Sequence, residues 1–191
     1  MKKRTILINL ILPGIFALIL HTIIHEMGHI ITAIITGNKI QSFSFGSESF
    51  AGINVVNFWS IPLISIGSFF LPVIVFIILS LFKKHFIKML GIYIGFIAVI
   101  QAIINSVAIL LLDKVSAEYN TYDLGILVNY TNCNPVIVSI ISIVLSLIFV
   151  AILMYKLAKL INELWCTKNS YECTRFFVYL YIIYKLNIKF K

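Results

Sequence analysis

The chain has 191 residues, of which 61% are hydrophobic and only 12% charged, with a mean hydropathy of +1.05. This balance excludes an ordinary soluble domain, in which about 25% of the residues are charged. The net charge of +8 comes from lysines and arginines that flank apolar segments, as membrane anchors do, so we expect no nucleic-acid partner. Three cysteines without metal-type spacing also argue against a disulfide framework. The length fits a single domain, residues 1–191.

The first apolar segment, from about residue 5 to residue 36, predicts a transmembrane helix with a bend at Pro13-Gly14. It begins with basic residues, but no small-residue cleavage site follows, so we expect a retained helix rather than a signal peptide. Gly37-Asn38 is expected to end this helix. Residues 39–57 then mix serines and glycines with apolar residues that partly alternate, which predicts a short β-hairpin.

Three further apolar segments, at about 58–82, 86–112 and 135–157, are each long enough to cross a bilayer. The predicted fold class is therefore all-α, a polytopic membrane protein with about four transmembrane helices and a short β-hairpin-like loop after the first. A polar loop, 113–134, separates the last two spans. The aromatic patch at 176–184 is too short for a span and predicts an interfacial helix.

The basic residues predict the orientation of the spans. With the N-terminus in the cytoplasm, 13 of the 15 lysines and arginines lie inside, and only Lys39 and Lys114 lie outside. The end of the first helix and the loop 113–134 then share the outer face. We expect a multi-pass protein of the cell membrane of a prokaryote, with the lipid bilayer around it.

The first span contains the pattern His25-Glu26-Met27-Gly28-His29. Two histidines four residues apart lie on one face of a helix, so both imidazoles can reach a single metal ion. Ionisable residues inside a bilayer are costly and mark functional sites. The pattern predicts that His25 and His29 bind one zinc ion and that Glu26, which projects away from the pair, acts as a general base. His21 lies too far along the axis to join them, and we expect it to support the site or to pack.

The third ligand is expected to be an acidic residue from elsewhere in the chain, which has seven Asp and Glu in total. Glu163 and Glu172 fall on the predicted cytoplasmic side, and Glu48 belongs to the serine-rich hairpin. Asp123 begins a short apolar run, where a carboxylate would lie at a helix start, and we predict it as the ligand. Two alternatives stay open. Asp113, at the end of the third span, is a rival ligand, and Asp123 is otherwise an ordinary helix cap.

The histidine motif and the residues after it resemble the start of the site-2-protease-like intramembrane zinc metallopeptidases. The resemblance covers about 22 residues, from His25 to Gly46, and includes the phenylalanine-glycine pair that ends the hairpin in that family. A degraded form of the family's small-residue motif follows at 66–72. The resemblance implies a zinc ion on His25 and His29, Glu26 as the catalytic base, and an aspartate from a later segment as the third ligand.

The later aspartate motif of that family is only partly retained. Asn105 and Asp113 keep its spacing but lack its prolines and its glycine, whereas Asp123 is followed by glycine one residue late. The lysine distribution also puts the metal nearer the outer face, whereas the family holds it nearer the cytoplasm. The resemblance implies a zinc metalloendopeptidase that hydrolyses peptide bonds of membrane proteins or peptides. The alternative is a non-catalytic membrane regulatory or immunity protein that retains a metal site.

Overall fold

A computed structural model describes residues 3–44, 50–112 and 122–166 of the chain. These residues form five α-helices and a pair of β-strands. In chain order the elements are α1 (Lys3–Ile35), β1 (Lys39–Ser44), β2 (Phe50–Asn54), α2 (Ile61–Ser80), α3 (His85–Leu111), α4 (Asp123–Thr131) and α5 (Pro135–Cys166). A single 3-10 turn, Phe58–Ser60, leads into α2. The interfacial helix predicted at 176–184 lies outside the described residues.

Four of these helices are long and apolar enough to cross a membrane, so the predicted all-α fold with four spans is confirmed. The four segments are Ile8–Ile35, Phe58–Ser80, His85–Leu111 and Pro135–Ile161. α1 continues through Pro13, and α5 continues well beyond the predicted end at residue 157 because Lys156 and Lys159 are compatible with a helix. Many large apolar side chains on all four helices are exposed, as expected of surfaces that face acyl chains.

α1 ends in a glycine cap that turns the chain toward the strands. Gly37 has a φ angle of 79°, in the left-handed region that glycine adopts most easily. Its amide donates to the carbonyl oxygen of Ile34 at 3.0 Å, and the amide of Asn38 donates to that of Ala33 at 2.8 Å. This pair of hydrogen bonds is a Schellman motif, which satisfies the last carbonyls of the helix.

The strands form the predicted hairpin ladder, and Asn38 fixes them to the helices. β1 pairs antiparallel with β2, from Lys39 opposite Asn54 to Ser44 opposite Phe50. The buried Asn38 amide group donates to Ser60 Oγ at 2.8 Å, and its oxygen accepts from the Val56 amide at 2.8 Å. The end of α1, the strand pair and the start of α2 are therefore held together as one unit.

α1 and α2 approach most closely at two glycines. A Cβ atom on Gly28 would collide with the carbonyl oxygen of Gly67 and lie 2.8 Å from Ser68 Cα. A Cβ atom on Gly67 would in turn collide with Thr32 Oγ1. Small residues allow such close backbone contact between membrane helices. The contact presses the histidine-bearing part of α1 against the first turns of α2.

α3 packs along α1 and α2, and α5 packs on α3. Their shared apolar core is centred on Met89, Ile92, Val99 and Leu153, with Phe76 from α2. The short α4 lies against α2 and the end of α3, where its residues Leu124 and Val128 pack with Ile109. Because Asp123 is the first residue of α4, this packing carries it to the part of α2 that faces the histidines.

Candidate metal centre

The histidine motif lies on the inward face of α1. His25 is 8% exposed and Glu26 is 9% exposed, whereas the next residue, Met27, is 36% exposed. The side chain of His29 is 14% exposed. The rings of His25 and His29 are 5.1 Å apart between centroids and nearly perpendicular. Both imidazoles lie on one face of α1, as predicted from their spacing, and that face points to the protein interior, whereas the methionine lies outside.

Asp123 joins the two histidines from the first turn of α4. Its Oδ2 atom lies 3.3 Å from Nε2 of His25, and its Oδ1 atom lies 3.2 Å from Nε2 of His29. One nitrogen or oxygen atom from each of the three residues lies within 4.8 Å of the other two. Among the described residues, this is the group of His, Cys, Asp and Glu side chains that can hold a metal ion.

The distances between these donor atoms suit a single small cation. Two ligands bound to a tetrahedral zinc-sized ion, each at about 2.0–2.1 Å, are themselves about 3.3 Å apart. The nitrogen–oxygen distances of 3.2 and 3.3 Å match this separation. The cluster is also poor in water contact, because His25 and Asp123 are both buried. Two imidazoles and one carboxylate leave a fourth position for water or substrate.

A hydrogen bond from the ring nitrogen that points away from Asp123 fixes the tautomer of His29. Its Nδ1 atom lies 2.9 Å from the carbonyl oxygen of Ile64. A carbonyl oxygen only accepts, so Nδ1 carries the proton, and in the neutral ring Nε2 has the lone pair. That lone pair faces an Asp123 oxygen, which is also an acceptor. Two acceptors this close need a proton or a metal ion between them, and metal-binding histidines commonly donate to a backbone carbonyl in this way.

His25 receives a contact from α3 that the sequence did not indicate. The side-chain amide nitrogen of Gln101 lies 3.3 Å from Nε2 of His25. An amide N–H donates, so Nε2 of His25 accepts, and it does so while facing Oδ2 of Asp123. Both histidines therefore direct acceptor nitrogens at the same carboxylate. This arrangement attracts a cation.

Ser68 on α2 orients the carboxylate. Its hydroxyl lies 2.8 Å from Oδ2 of Asp123 and 2.9 Å from the carbonyl oxygen of Ser65, and its single proton serves one of them at a time. A carboxylate binds a metal ion in its ionised form, and a hydrogen bond from the Ser68 hydroxyl stabilises that form.

Asp123 is not the N-cap of α4, as the helix-cap alternative required. The N-cap residue of α4 is Tyr122, and its side chain makes no capping hydrogen bond. The Asp123 carboxylate instead contacts Ser68 and the two histidines. The rival ligand Asp113 lies outside the described residues.

Glu26 lies beside the cluster rather than in it. It is buried on the same turn of α1 as His25, and it is close enough to His29 to interact with that imidazole electrostatically. The group of side chains that can hold a metal ion consists of His25, His29 and Asp123 and does not include Glu26. This separation suits the predicted division between metal ligands and a neighbouring carboxylate.

His21 is likewise near the cluster but not part of it. Its ring centroid is 6.0 Å from that of His25, and it is 4% exposed. Asn105, the polar residue that stands out in the third span, is buried one turn beyond Gln101. The residue on α3 that contacts a histidine is Gln101. The only sequence signal for it is a glutamine within an apolar span.

Comparisons with known proteins give no match for the chain, whether with protein-family models, with curated proteins or with solved structures.

Proposed function

We propose that this protein is a membrane-embedded zinc metallopeptidase of the site-2-protease-like kind, which hydrolyses peptide bonds of membrane-associated proteins or peptides. The observation that carries the proposal is the convergence of His25, His29 and Asp123, with acceptor atoms 3.2 and 3.3 Å apart, beside the buried Glu26. Three ligands and a separate carboxylate are the parts that metal-dependent peptide hydrolysis requires.

Zinc fits the donor set best. Two neutral imidazoles and one carboxylate, with a fourth position left open, form a common catalytic zinc site. His25 and His29 would bind through Nε2 and Asp123 through its carboxylate. When bound, zinc supplies Lewis acidity, which lowers the pKa of water and polarises a carbonyl group. Ile64 and Ser68 orient His29 and Asp123 from outside the ligand set.

Glu26 supplies the proton transfer that hydrolysis needs. Its carboxylate takes a proton from the attacking water as the water oxygen bonds to the peptide carbon. The same carboxyl group then gives that proton to the leaving nitrogen as the carbon–nitrogen bond breaks. The immediate products are one carboxylic acid and one amine; the proton of the new acid then passes to the amine, which leaves a carboxylate and an ammonium group, so atoms and charge balance. Burial of Glu26 at 9% exposure keeps bulk water from competing for this proton.

The surroundings of the cluster favour an apolar substrate. A cleft of about 560 Å³ between α2, α3, α4 and α5 is lined by apolar side chains, among them Phe69 and Leu124. Leu124 follows Asp123 in the chain, and the ring of Phe69 meets that of His25 edge-on at 6.2 Å between centroids. A substrate helix must unwind locally before it reacts, because its carbonyl groups are otherwise engaged in hydrogen bonds.

The proposal is tested with purified protein in liposomes and a library of quenched fluorescent peptides with apolar cores. The Glu26→Gln variant is expected to bind zinc like the wild type but to cleave about 10²- to 10⁴-fold more slowly, because it lacks the base. Glu163→Gln, which alters the Lys88 ion pair on α3 and α5 instead, is the matched control and should cleave normally. Normal cleavage by Glu26→Gln would refute the mechanism. Zinc binding without any cleavage by the wild type would favour the non-catalytic regulatory alternative.

A further inference from the structure

Gln101 is a polar side chain in an apolar span, and within the described part of the chain its hydrogen bond goes to a histidine of the candidate metal centre. It lies in α3, within the apolar segment His85–Leu111, and is half-buried. Its amide nitrogen lies 3.3 Å from Nε2 of His25. An amide without a hydrogen-bond partner is costly away from water, so this side chain needs an acceptor at this place.

Metal binding at His25 removes the acceptor that Gln101 uses. The lone pair of Nε2 is the one that faces Asp123, and a nitrogen that gives its lone pair to a metal ion cannot also accept a hydrogen bond. The Gln101 amide then needs another acceptor within its reach. Asp123 already receives the Ser68 hydroxyl from α2, whereas Gln101 approaches from α3. A substrate carbonyl oxygen at the position that the three ligands leave open would provide that acceptor.

We propose that Gln101 is a catalytic residue that donates a hydrogen bond to the carbonyl oxygen of the scissile peptide bond. This inference rests on the proposed peptidase function and adds a hydrogen-bond donor to the proposed active site. Negative charge develops on that oxygen as water attacks the carbon, and a fixed amide donor stabilises it. Loss of one such donor in other hydrolases lowers kcat by about 10²- to 10³-fold.

Acetohydroxamate binding to the cobalt-substituted protein tests this role without a known substrate. The hydroxamate presents oxygen atoms to the metal as a substrate carbonyl does, and the visible spectrum of Co²⁺ reports its binding. Gln101→Met keeps the length and much of the volume of the side chain but has no donor. We expect this variant to bind cobalt with wild-type affinity and acetohydroxamate about tenfold more weakly, the effect of one lost hydrogen bond to a charged oxygen.

Ile104→Met is the matched control, because it introduces the same residue on α3 at an exposed position. It should leave both affinities unchanged. Equal acetohydroxamate affinity in Gln101→Met and the wild type would overturn the proposal. Weaker cobalt binding with unchanged acetohydroxamate affinity would also overturn it, because Gln101 would then only hold His25. A wild type that binds no cobalt would refute the metal centre itself, which separates this failure from that of Gln101.

Discussion

Nε2 of His29 lies 3.2 Å from Oδ1 of Asp123, although a pair of strands and two membrane-spanning helices separate the two residues in the chain. This contact exists because α4 packs on α2 while α2 packs on the histidine face of α1. The centre therefore depends on the contact between α1 and α2 as much as on its own ligands. Substitutions at residues that do not bind the metal should therefore also change metal binding.

Removal of the Ser68 hydroxyl should weaken metal binding without unfolding the protein. Ser68 donates to Oδ2 of Asp123 at 2.8 Å, and groups that orient metal ligands contribute about 10- to 100-fold in metal affinity. We expect a loss of this size in Ser68→Ala, measured by competition with a zinc chelator. Ser80→Ala removes a hydroxyl that bonds to the Phe76 carbonyl near the other end of α2, and it should bind zinc normally. Equal zinc affinities in all three proteins would contradict the role of Ser68.

A methyl group at Gly28 should force α1 and α2 apart. The added Cβ would collide with the carbonyl oxygen of Gly67, a backbone atom that cannot rotate away. Overpacking of this kind costs about 1–3 kcal/mol, so Gly28→Ala should lower the thermal midpoint and weaken metal binding together. The measurement is thermal unfolding in detergent with and without zinc.

Gly14→Ala on the same helix is the matched control for that substitution. Its Cβ would meet the Tyr93 ring at 3.7 Å, an ordinary contact, and alanine favours a helix more than glycine does. We expect unchanged or slightly higher stability. If both alanine variants unfolded at the wild-type temperature, the close approach of α1 and α2 would be disproved.

The orientation of the spans is testable at Cys133, an exposed residue between α4 and α5. The basic residues predict that this end of the helices faces outward. In a Cys166→Ser, Cys173→Ser background, a membrane-impermeant maleimide should therefore label Cys133 in intact cells. A Lys83→Cys, Cys133→Ser variant of that background should be labelled only after the cells are opened. The reverse pattern would place the metal centre near the cytoplasm.

Much of the fold was predictable because apolar length and helix-ending residues are local signals. The four spans and the hairpin follow from runs of apolar residues, from Gly37-Asn38 and from the partly alternating segment 39–57. The fourth span was predicted at about 135–157, whereas the helix that contains it, α5, continues to Cys166, because lysine continues a helix readily. Local patterns do not measure how far a helix extends beyond the bilayer.

The site was predictable where its residues share one helix and much less so where packing assembles it. Helical periodicity puts His25 and His29 on one face, whatever the rest of the chain does. Asp123 could be chosen only by eliminating other acidic residues and from its place at the start of a short apolar run, because its approach to the histidines depends on how α4 packs. Gln101 and the Ile64 carbonyl had no signal of comparable strength. A single glutamine in an apolar span does not reveal its neighbour, and every residue has a carbonyl group.

The zinc content of the purified protein after dialysis, measured beside that of His25→Ala and Asp123→Asn, tests the central claim most directly. The wild type should retain one zinc ion per chain, because three ligands from α1 and α4 converge on one position. Each variant should retain far less, while circular dichroism shows the same helix content. Equal zinc content in all three proteins, or none in the wild type, would contradict the account.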